Sequence, residues 1–515
     1  MIVKDDLWKN ITISDQLTQW AMQYGDKTAL TEWEKNMSYA ELDQLTTIRA
    51  GYLRQLGLCT GDFVLLQLPN SIEFVITFFA IIRAQAIPIL CLPANRENEL
   101  EGIAKKAKPK MYIYTQDSWG VDYEELGKTL VDKFDFLKTM ISVEEICDKE
   151  KDREYAIDSL DIAANQPALF LLSGGTTSVP KLIPRTHADY MYVARKSAEK
   201  CQLTEESVYL AALPLAHNFP LCCPGMLGTF CKGGRVVICN NSSPDEIVNC
   251  IMDEGVTVTA LVPSLVSMCM DFIQADDEID LSSLKLLQVG GAFFPEELAR
   301  KTMKMYSAEL MQVYGMSEGL ICFTELGEKE EEVVRTQGKP ISEYDEVLIC
   351  DEKNMPVKHG CEGQLLTKGP YTISEYYMAE KENAESFSEN GYFMTGDKAR
   401  IDKNGNIQIL GRVKEVINRC GEKIVPSEIE GLLCEHPLIK DAAVIGIPDE
   451  KLGQCNCAVL ILKEGTNLNR QDIFQYLQSR KLSDYKIPDR VEVVERFPLT
   501  AVGKVDKKKM LEVFQ

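Results

Sequence analysis

Ser173-Gly-Gly-Thr-Thr-Ser-Val-Pro-Lys181 is the stretch on which the reading of this chain turns. It follows an apolar run, Pro167-Ala-Leu-Phe-Leu-Leu172, and places two glycines, four hydroxyl residues, a proline and a lysine in nine positions. A Walker A loop needs lysine directly after glycine and a hydroxyl residue directly after lysine. Here Val179-Pro180 precede Lys181 and Leu182 follows it, so that reading fails. The chemistry still suits phosphate. Gly174-Gly175 lets backbone N–H groups approach an anion, Thr176, Thr177 and Ser178 add hydroxyl donors, and Lys181 adds a cation. Taken alone, the stretch is as much a surface β-turn as a phosphate loop.

The rest of the chain sets the frame. It has 515 residues, 45% hydrophobic and 26% charged, enough for more than one domain with a sizeable core. A net charge of −22 argues against a broad basic face for nucleic acid, but not against a local pocket for a nucleotide. The start, MIVKDDLWKN, carries neither a basic n-region nor an apolar h-region, so no signal peptide is expected. The longest apolar run, Phe74 to Ile82, is far short of the roughly 20 residues a bilayer needs, so we expect a core helix and no membrane partner. The 17 cysteines show no repeated metal spacing. Neither Cys222-Cys223 nor Cys455-x-Cys457 has a second pair to complete a zinc site. Free thiols in a reducing, cytoplasmic setting are expected.

Strand-like runs (Phe63–Leu68, Arg235–Cys239, Val256–Val262, Leu284–Val289) alternate with helical ones (Tyr39–Leu56, Pro244–Glu254, Pro295–Met305). This predicts an α/β fold with largely parallel sheets. Glu328–Glu332 reads as a solvated loop. Asp402-Lys-Asn-Gly405 signals a hairpin, with a strand over Asn406–Leu410. Beyond it, short strands and helices alternate (Pro426–His436, Asp441–Ile447, Cys457–Leu462, Arg470–Arg480, Val491–Val494). We place a domain boundary near Gly411–Lys414, giving domains over 1–412 and 413–515.

Four further constellations can carry chemistry. Gln312-Val-Tyr-Gly-Met-Ser-Glu318 offers an aromatic, a glycine and a carboxylate, though Tyr314 reads equally as core and Glu318 as a helix cap. Tyr392-Phe-Met-Thr-Gly-Asp397 presents a carboxylate after a glycine turn, able to bind two ribose hydroxyls or to be an ordinary turn aspartate. Arg412 follows fifteen residues later. Near the C-terminus Lys504 follows Gly503 between Val502 and Val505, unlike the solvated lysines 507–509.

In this order and spacing the five motifs resemble the adenylate-forming superfamily of acyl-CoA synthetases, peptide-synthetase adenylation domains and firefly luciferase. The resemblance runs from Ser38-Tyr-Ala-Glu41 to Gly503-Lys504. It implies a large N-terminal domain of packed sheet and helix subdomains and a small mobile α+β C-terminal domain. It implies ATP and Mg²⁺ as cofactors. Ser173, Gly174, Gly175, Thr176, Thr177 and Lys181 would hold phosphates. Tyr314 would stack on adenine among Gly291, Ala292, Val313, Gly315 and Met316. Glu318 would hold Mg²⁺, Asp397 and Arg412 would bind ribose, Lys414 would be the hinge, and Lys504 would bridge the carboxylate and the α-phosphate.

More narrowly, "PKLIPRTH", "LAHNFPLCCPG", "LQVGGAFF", "RTQGKP", "KGPYTI" and "INRCGEK" resemble the stand-alone aryl-acid–AMP ligases of siderophore synthesis. These activate 2,3-dihydroxybenzoate or salicylate and load the phosphopantetheine thiol of an aryl carrier protein. His217 would join Lys504 and Glu318 in catalysis. Asn218, Phe219, Cys223, Gly290 and Ile321 would shape the pocket for the aryl carboxylic acid. Asn218 can hydrogen-bond an ortho hydroxyl, or cap a helix beginning near Pro220. Cys223 stands where dihydroxybenzoate enzymes usually carry serine, and Ile321 where they often carry valine; both lean towards salicylate. Ser178 and Cys420 stand where the family usually has glycine. The second puts the acceptor in question, leaving CoA as the alternative thiol. A non-catalytic nucleotide-binding protein is disfavoured by the joint presence of Lys504, Glu318 and Asp397.

Overall fold

The computed structural model describes residues 7–116, 120–150, 162–173, 180–276, 278–419, 422–449, 452–480, 482, 484–500 and 503–515. Among them four sheets form. The largest orders nine strands as Lys339–Pro340, Ile321–Phe323, Glu309–Gly315, Leu286–Gly290, Val258–Leu261, Val208–Ala211, Arg235–Ile238, Thr28–Glu32 and Lys35–Ser38. Its six central strands pair in parallel and its edges are antiparallel. A six-stranded sheet holds Phe63–Leu66, Ile87–Leu90 and Met111–Tyr114 in parallel and ends on the antiparallel pair Pro167–Leu172 and Leu182–Thr186. Fully buried parallel strands read as continuous apolar runs, which is why these segments were legible.

Helix Ile72–Arg83 is buried almost all round, as its run of apolar residues requires. Helix Tyr39–Gln55 begins at a capping box in which Ser38 and Glu41 satisfy each other's backbone N–H groups. Among the described residues no helix is long and apolar enough to cross a membrane, and no disulfide joins the described cysteines.

Two expectations need correction. The sheet of Glu346–Cys350, Gly363–Lys368, Phe393–Ile401 and Ile407–Arg412 is wholly antiparallel. Its last two strands are joined by the tight turn at Asp402–Gly405, and short hairpins force antiparallel pairing. Glu330–Arg335, expected as solvated loop in its first part, is a short helix. Val333 and Val334 anchor it in the core, while Arg300 pairs with Glu330 and Glu331 on its outer side.

The C-terminal sheet orders Glu422–Ile424, Ile417–Arg419, Gly453–Leu462 and Ile439–Asp449, with Arg490–Val493 parallel to Gly453–Leu462. Its apolar side chains form clusters drawn from residues 417–514 alone. The 3₁₀ turn Val413–Glu415 joins it to the preceding sheet. Lys507 pairs with Glu415 of that turn at 3.5 Å and with Glu430 at 2.7 Å.

His187 carries a measurable stability signal. Its Nδ1 accepts from the Ile13 N–H at 3.2 Å, tying the first helix to helix His187–Lys200. Burial pushes its pKa from 6.5 to about 4, opposed by Asp15. The folded chain therefore holds it neutral where the unfolded chain protonates it. Its stabilisation is complete above pH 6.5 and is lost as pH falls towards 4. By pH 5 the loss is about 2 kcal/mol. His187→Gln should flatten the dependence of apparent unfolding free energy on pH between 6.5 and 5 by that amount. An unaltered slope would show that His187 is already protonated in the folded chain.

Candidate active site

The base of the glycine-rich loop is closed by its flanking residues. Ser173 N–H donates to the Lys181 carbonyl at 3.0 Å, and Lys181 N–H donates to Ser173 Oγ at 2.9 Å. Gly174, Gly175, Thr176, Thr177 and Ser178 lie outside the described residues, as does Cys420. Lys181 Nζ sits 4.2 Å from the centre of the Tyr376 ring, a cation–π contact. The Tyr376 hydroxyl donates to Glu318 Oε1 at 2.8 Å. One aromatic residue thus joins the lysine of the loop to the carboxylate expected to hold Mg²⁺. Asn383 fixes Tyr376 through its backbone N–H and carbonyl. Glu318 is held from behind: its carbonyl accepts from Ile373 N–H at 2.8 Å, and the neighbouring Ser317 carbonyl accepts from buried Arg185 at 2.7 Å.

Asp397 and Arg412, fifteen residues apart in sequence, are direct cross-strand partners. Arg412 Nε lies 3.0 Å from Asp397 Oδ1, and Arg412 Nη1 donates to the Thr395 carbonyl at 3.1 Å. The Tyr314 hydroxyl donates to Asp397 Oδ2 at 2.5 Å. Each carboxylate oxygen keeps a lone pair for a further donor. Burial raises the Asp397 pKa and Arg412 opposes that rise; burial and Asp397 push the Tyr314 phenol well up. Tyr314, Asp397 and Arg412 therefore form one linked group centred on Asp397.

Two adjacent glycines make room, one for the neighbouring strand and one for the C-terminal lysine. Gly290 is the cross-strand partner of Val313, and a Cβ there would lie 2.5 Å from the Val313 carbonyl oxygen. Gly291 has φ +84°, and a Cβ on it would stand 3.3 Å from Lys504 Cε. Any side chain at 291 would be strained and would crowd Lys504. Ala292 is exposed beside them, and Gly315 faces Ile321 across a strand pair. Lys504 is delivered by a tight turn: Thr500 N–H donates to the Lys504 carbonyl at 2.7 Å, and Lys504 N–H donates to Thr500 Oγ1 at 3.1 Å. Ser264 Oγ donates to the Gly503 carbonyl at 2.8 Å, tying the turn to the large sheet's helix Pro263–Gln274. Burial lowers the Lys504 pKa and Arg412 lowers it further, while Asp397 and Glu318 hold it up. The ammonium thus sits in the field of Arg412, Asp397 and Glu318. Lys414 has its backbone in the turn Val413–Glu415, at the junction of the two sheets.

Lys504 also lines a cavity with Leu213, His217, Phe219, Val262 and Gly291. His217, not Asn218, caps the short helix Asn218–Cys222: its Nδ1 accepts from Phe219 N–H at 3.3 Å. The cap falls one residue earlier than read from Pro220. Burial and the Lys504 charge lower the His217 pKa to about 3, so the imidazole stays neutral. With Nδ1 accepting, the ring proton is assigned to Nε2. Freed from capping, buried Asn218 donates Nδ2–H to Cys223 Sγ at 3.5 Å. Its Oδ1 is buried without a hydrogen-bond partner among the described residues. Burial holds Cys223 as a thiol, its pKa pushed up to about 12. Ile321 is buried, and its N–H donates to the Tyr371 hydroxyl at 3.3 Å.

Sequence reasoning missed Tyr376, Thr395 and Ser264. Each is a single residue in an ordinary context, and its role appears only when distant segments meet.

Comparison with known proteins agrees with this geometry. The AMP-binding enzyme family matches residues 17–377, and the AMP-binding enzyme C-terminal domain matches residues 428–504. The 2,3-dihydroxybenzoate-AMP ligase of Bacillus subtilis is 43% identical over 99% of this chain and 95% of its own. Pyochelin synthase PchD of Pseudomonas aeruginosa is 41% identical over 98% of this chain and 93% of its own. The apo structure of Mycobacterium smegmatis MbtA, 36% identical, superposes with a TM-score of 0.76 over 98% of this chain and 95% of its own. Family matches along almost the whole chain, with relatives above 40% identity, make this an enzyme of the adenylate-forming superfamily, and it belongs to the aryl-acid–AMP ligases.

Proposed function

We propose that this enzyme adenylates a 2-hydroxybenzoate, with salicylate favoured over 2,3-dihydroxybenzoate, and passes the acyl group to the phosphopantetheine thiol of an aryl carrier protein. One observation carries the substrate reading. Asn218 Oδ1 is a buried acceptor with no partner among the described residues, and such an orphan costs about 1–3 kcal/mol unless a ligand fills it. A phenolic O–H ortho to the carboxylate is a donor of the right kind. The neighbouring Cys223 thiol is a weak hydrogen-bonding group and offers little to a 3-hydroxyl. The relatives' names, a 2,3-dihydroxybenzoate-AMP ligase and a pyochelin synthase, support activation of an aryl acid for a synthase and hence a carrier protein as acceptor.

The chemistry follows from the residues. A substrate carboxylate oxygen attacks the α-phosphorus of ATP, the bond to the bridging oxygen breaks, and pyrophosphate leaves. Both reactants are anions, so Lys504 between them lowers their repulsion as charge moves to the leaving group. Glu318 fits Mg²⁺: Tyr376 occupies Oε1, Oε2 accepts no hydrogen bond among the described residues, and this ion commonly takes one or two carboxylates plus phosphate oxygens. Bound there it would supply further positive charge to the phosphates. Ser173, Gly174, Gly175, Thr176, Thr177 and Lys181 would cradle the departing pyrophosphate. Asp397 and Arg412 would hold the ribose and Tyr314 the adenine. In the second half-reaction the thiol sulfur attacks the acyl carbon and AMP leaves with the electron pair. Rotation of domain 413–515 about Lys414 would withdraw Lys504 and open that face.

The test is ATP–pyrophosphate exchange with salicylate, 2,3-dihydroxybenzoate, benzoate, anthranilate and 3-hydroxypicolinate. No exchange with either hydroxybenzoate would sink the proposal. Product analysis with CoA against a phosphopantetheinylated carrier separates the acceptors. A sharper test is Cys223→Ser. Serine supplies a strong donor and acceptor, so the ratio of kcat/KM for 2,3-dihydroxybenzoate over salicylate should rise about tenfold. An unchanged ratio removes Cys223 as a selector.

A further inference from the structure

Away from the nucleotide site, at the carboxyl end of strand Arg235–Ile238, three metal-binding side chains meet. Cys239 directly follows the strand; Glu246 and Cys250 stand four residues apart on helix Pro244–Glu254, hence on one face. The two sulfurs and a carboxylate oxygen all lie within 4.8 Å of one another. We infer that Cys239, Glu246 and Cys250 form a binding site for a soft divalent cation of the zinc class, fastening helix Pro244–Glu254 to the end of strand Arg235–Ile238.

The donor set decides the class. Two thiolates select zinc or cadmium over magnesium or calcium, which prefer all-oxygen shells. Three protein ligands leave a fourth tetrahedral position for water. The surroundings orient the ligands, as outer contacts do at metal centres. Glu246 Oε1 accepts from Asn240 N–H at 3.1 Å and Asn241 N–H at 3.2 Å, and lies 3.8 Å from Cys239 Sγ. Cys239 Sγ is also 3.0 Å from the Asn241 carbonyl oxygen. Cys239 is buried while Glu246 and Cys250 are half-buried, which leaves an entry path from the surface. The two thiol sulfurs are themselves close enough to share one ion. Loading replaces both S–H bonds by S–metal bonds and releases two protons. The spacing, six residues and then three, matches no common zinc pattern, so sequence alone did not reveal it.

The experiment uses the full chain with the exposed thiols removed, C59S/C361S, titrated with Cd²⁺ and then competed with Zn²⁺. One equivalent of Cd²⁺ should produce a thiolate-to-metal charge-transfer band and raise the Tm, and Zn²⁺ should erase the band. C250S should lose about half of that band. Its affinity should fall by more than roughly 100-fold, since even outer contacts cost 10–100-fold. E246Q, which keeps both thiolates, should retain the band with weakened affinity. No band in the C59S/C361S chain, or unchanged binding in both C250S and E246Q, would overturn the site.

Discussion

Lys504→Ala is expected to lower aryl-acid-dependent ATP–pyrophosphate exchange by roughly 100- to 1,000-fold, the loss typical when one preorganised charge-stabilising group is removed. The reason is placement. Lys504 lines the cavity bounded by His217 and Phe219, and it lies in the field of Asp397, Arg412 and Glu318. No other described lysine or arginine lines that cavity. Arg412 is engaged with Asp397 and Thr395, and Lys181 lies over Tyr376. Thiolation from supplied aryl-adenylate should fall much less, because that step has no pyrophosphate to expel. Equal loss of both half-reactions would sink the view that the lysine serves adenylation and then withdraws. Binding of salicylate alone, followed by calorimetry, distinguishes a lost charge from a collapsed pocket. Gly503 and the Thr500 turn make the backbone contacts, so alanine at 504 leaves the turn intact.

How much of this was legible in sequence differs from part to part. The parallel strands announced themselves because strands such as Leu286–Gly290 are buried on both faces and are mostly apolar, Gln288 excepted. The antiparallel sheet did not, because its strands mix buried and half-exposed residues and only the Asp402–Gly405 turn marks a hairpin. The candidate nucleotide residues were legible because short glycine-containing motifs mark them, although Tyr314, Asp397 and Arg412 themselves stand in strands. What holds them was not. Tyr376 links Lys181 to Glu318 across some 195 residues of chain, and Ser264 meets Gly503 across 239. Such contacts leave no periodicity. The fold was needed to settle the helix cap, which His217 takes in place of Asn218.

The second large effect is expected for Asp397→Asn, and its value lies in having two separable readouts. Asparagine keeps the shape and one acceptor oxygen, so Tyr314 can still donate to it. The negative charge is lost. Arg412 then faces a neutral group, and the ribose loses a charged acceptor worth about 1.5–3 kcal/mol per hydrogen bond. kcat/KM for ATP should therefore fall about 100-fold, mostly through KM. The second readout is pH. Asp397 holds the Lys504 pKa up against burial and Arg412. In the proposed mechanism Lys504 acts as the ammonium, so exchange should decline as pH rises through its pKa. Removing Asp397 lowers that pKa and should move the alkaline limb of the exchange profile to lower pH. A purely structural defect would lower activity at every pH and leave the limb in place. A raised KM with an unmoved limb would confine Asp397 to the ribose; an unchanged KM with an unmoved limb would remove it from the site. Only the joint shift fits a site in which the ribose carboxylate and the adenylating lysine share one electrostatic field.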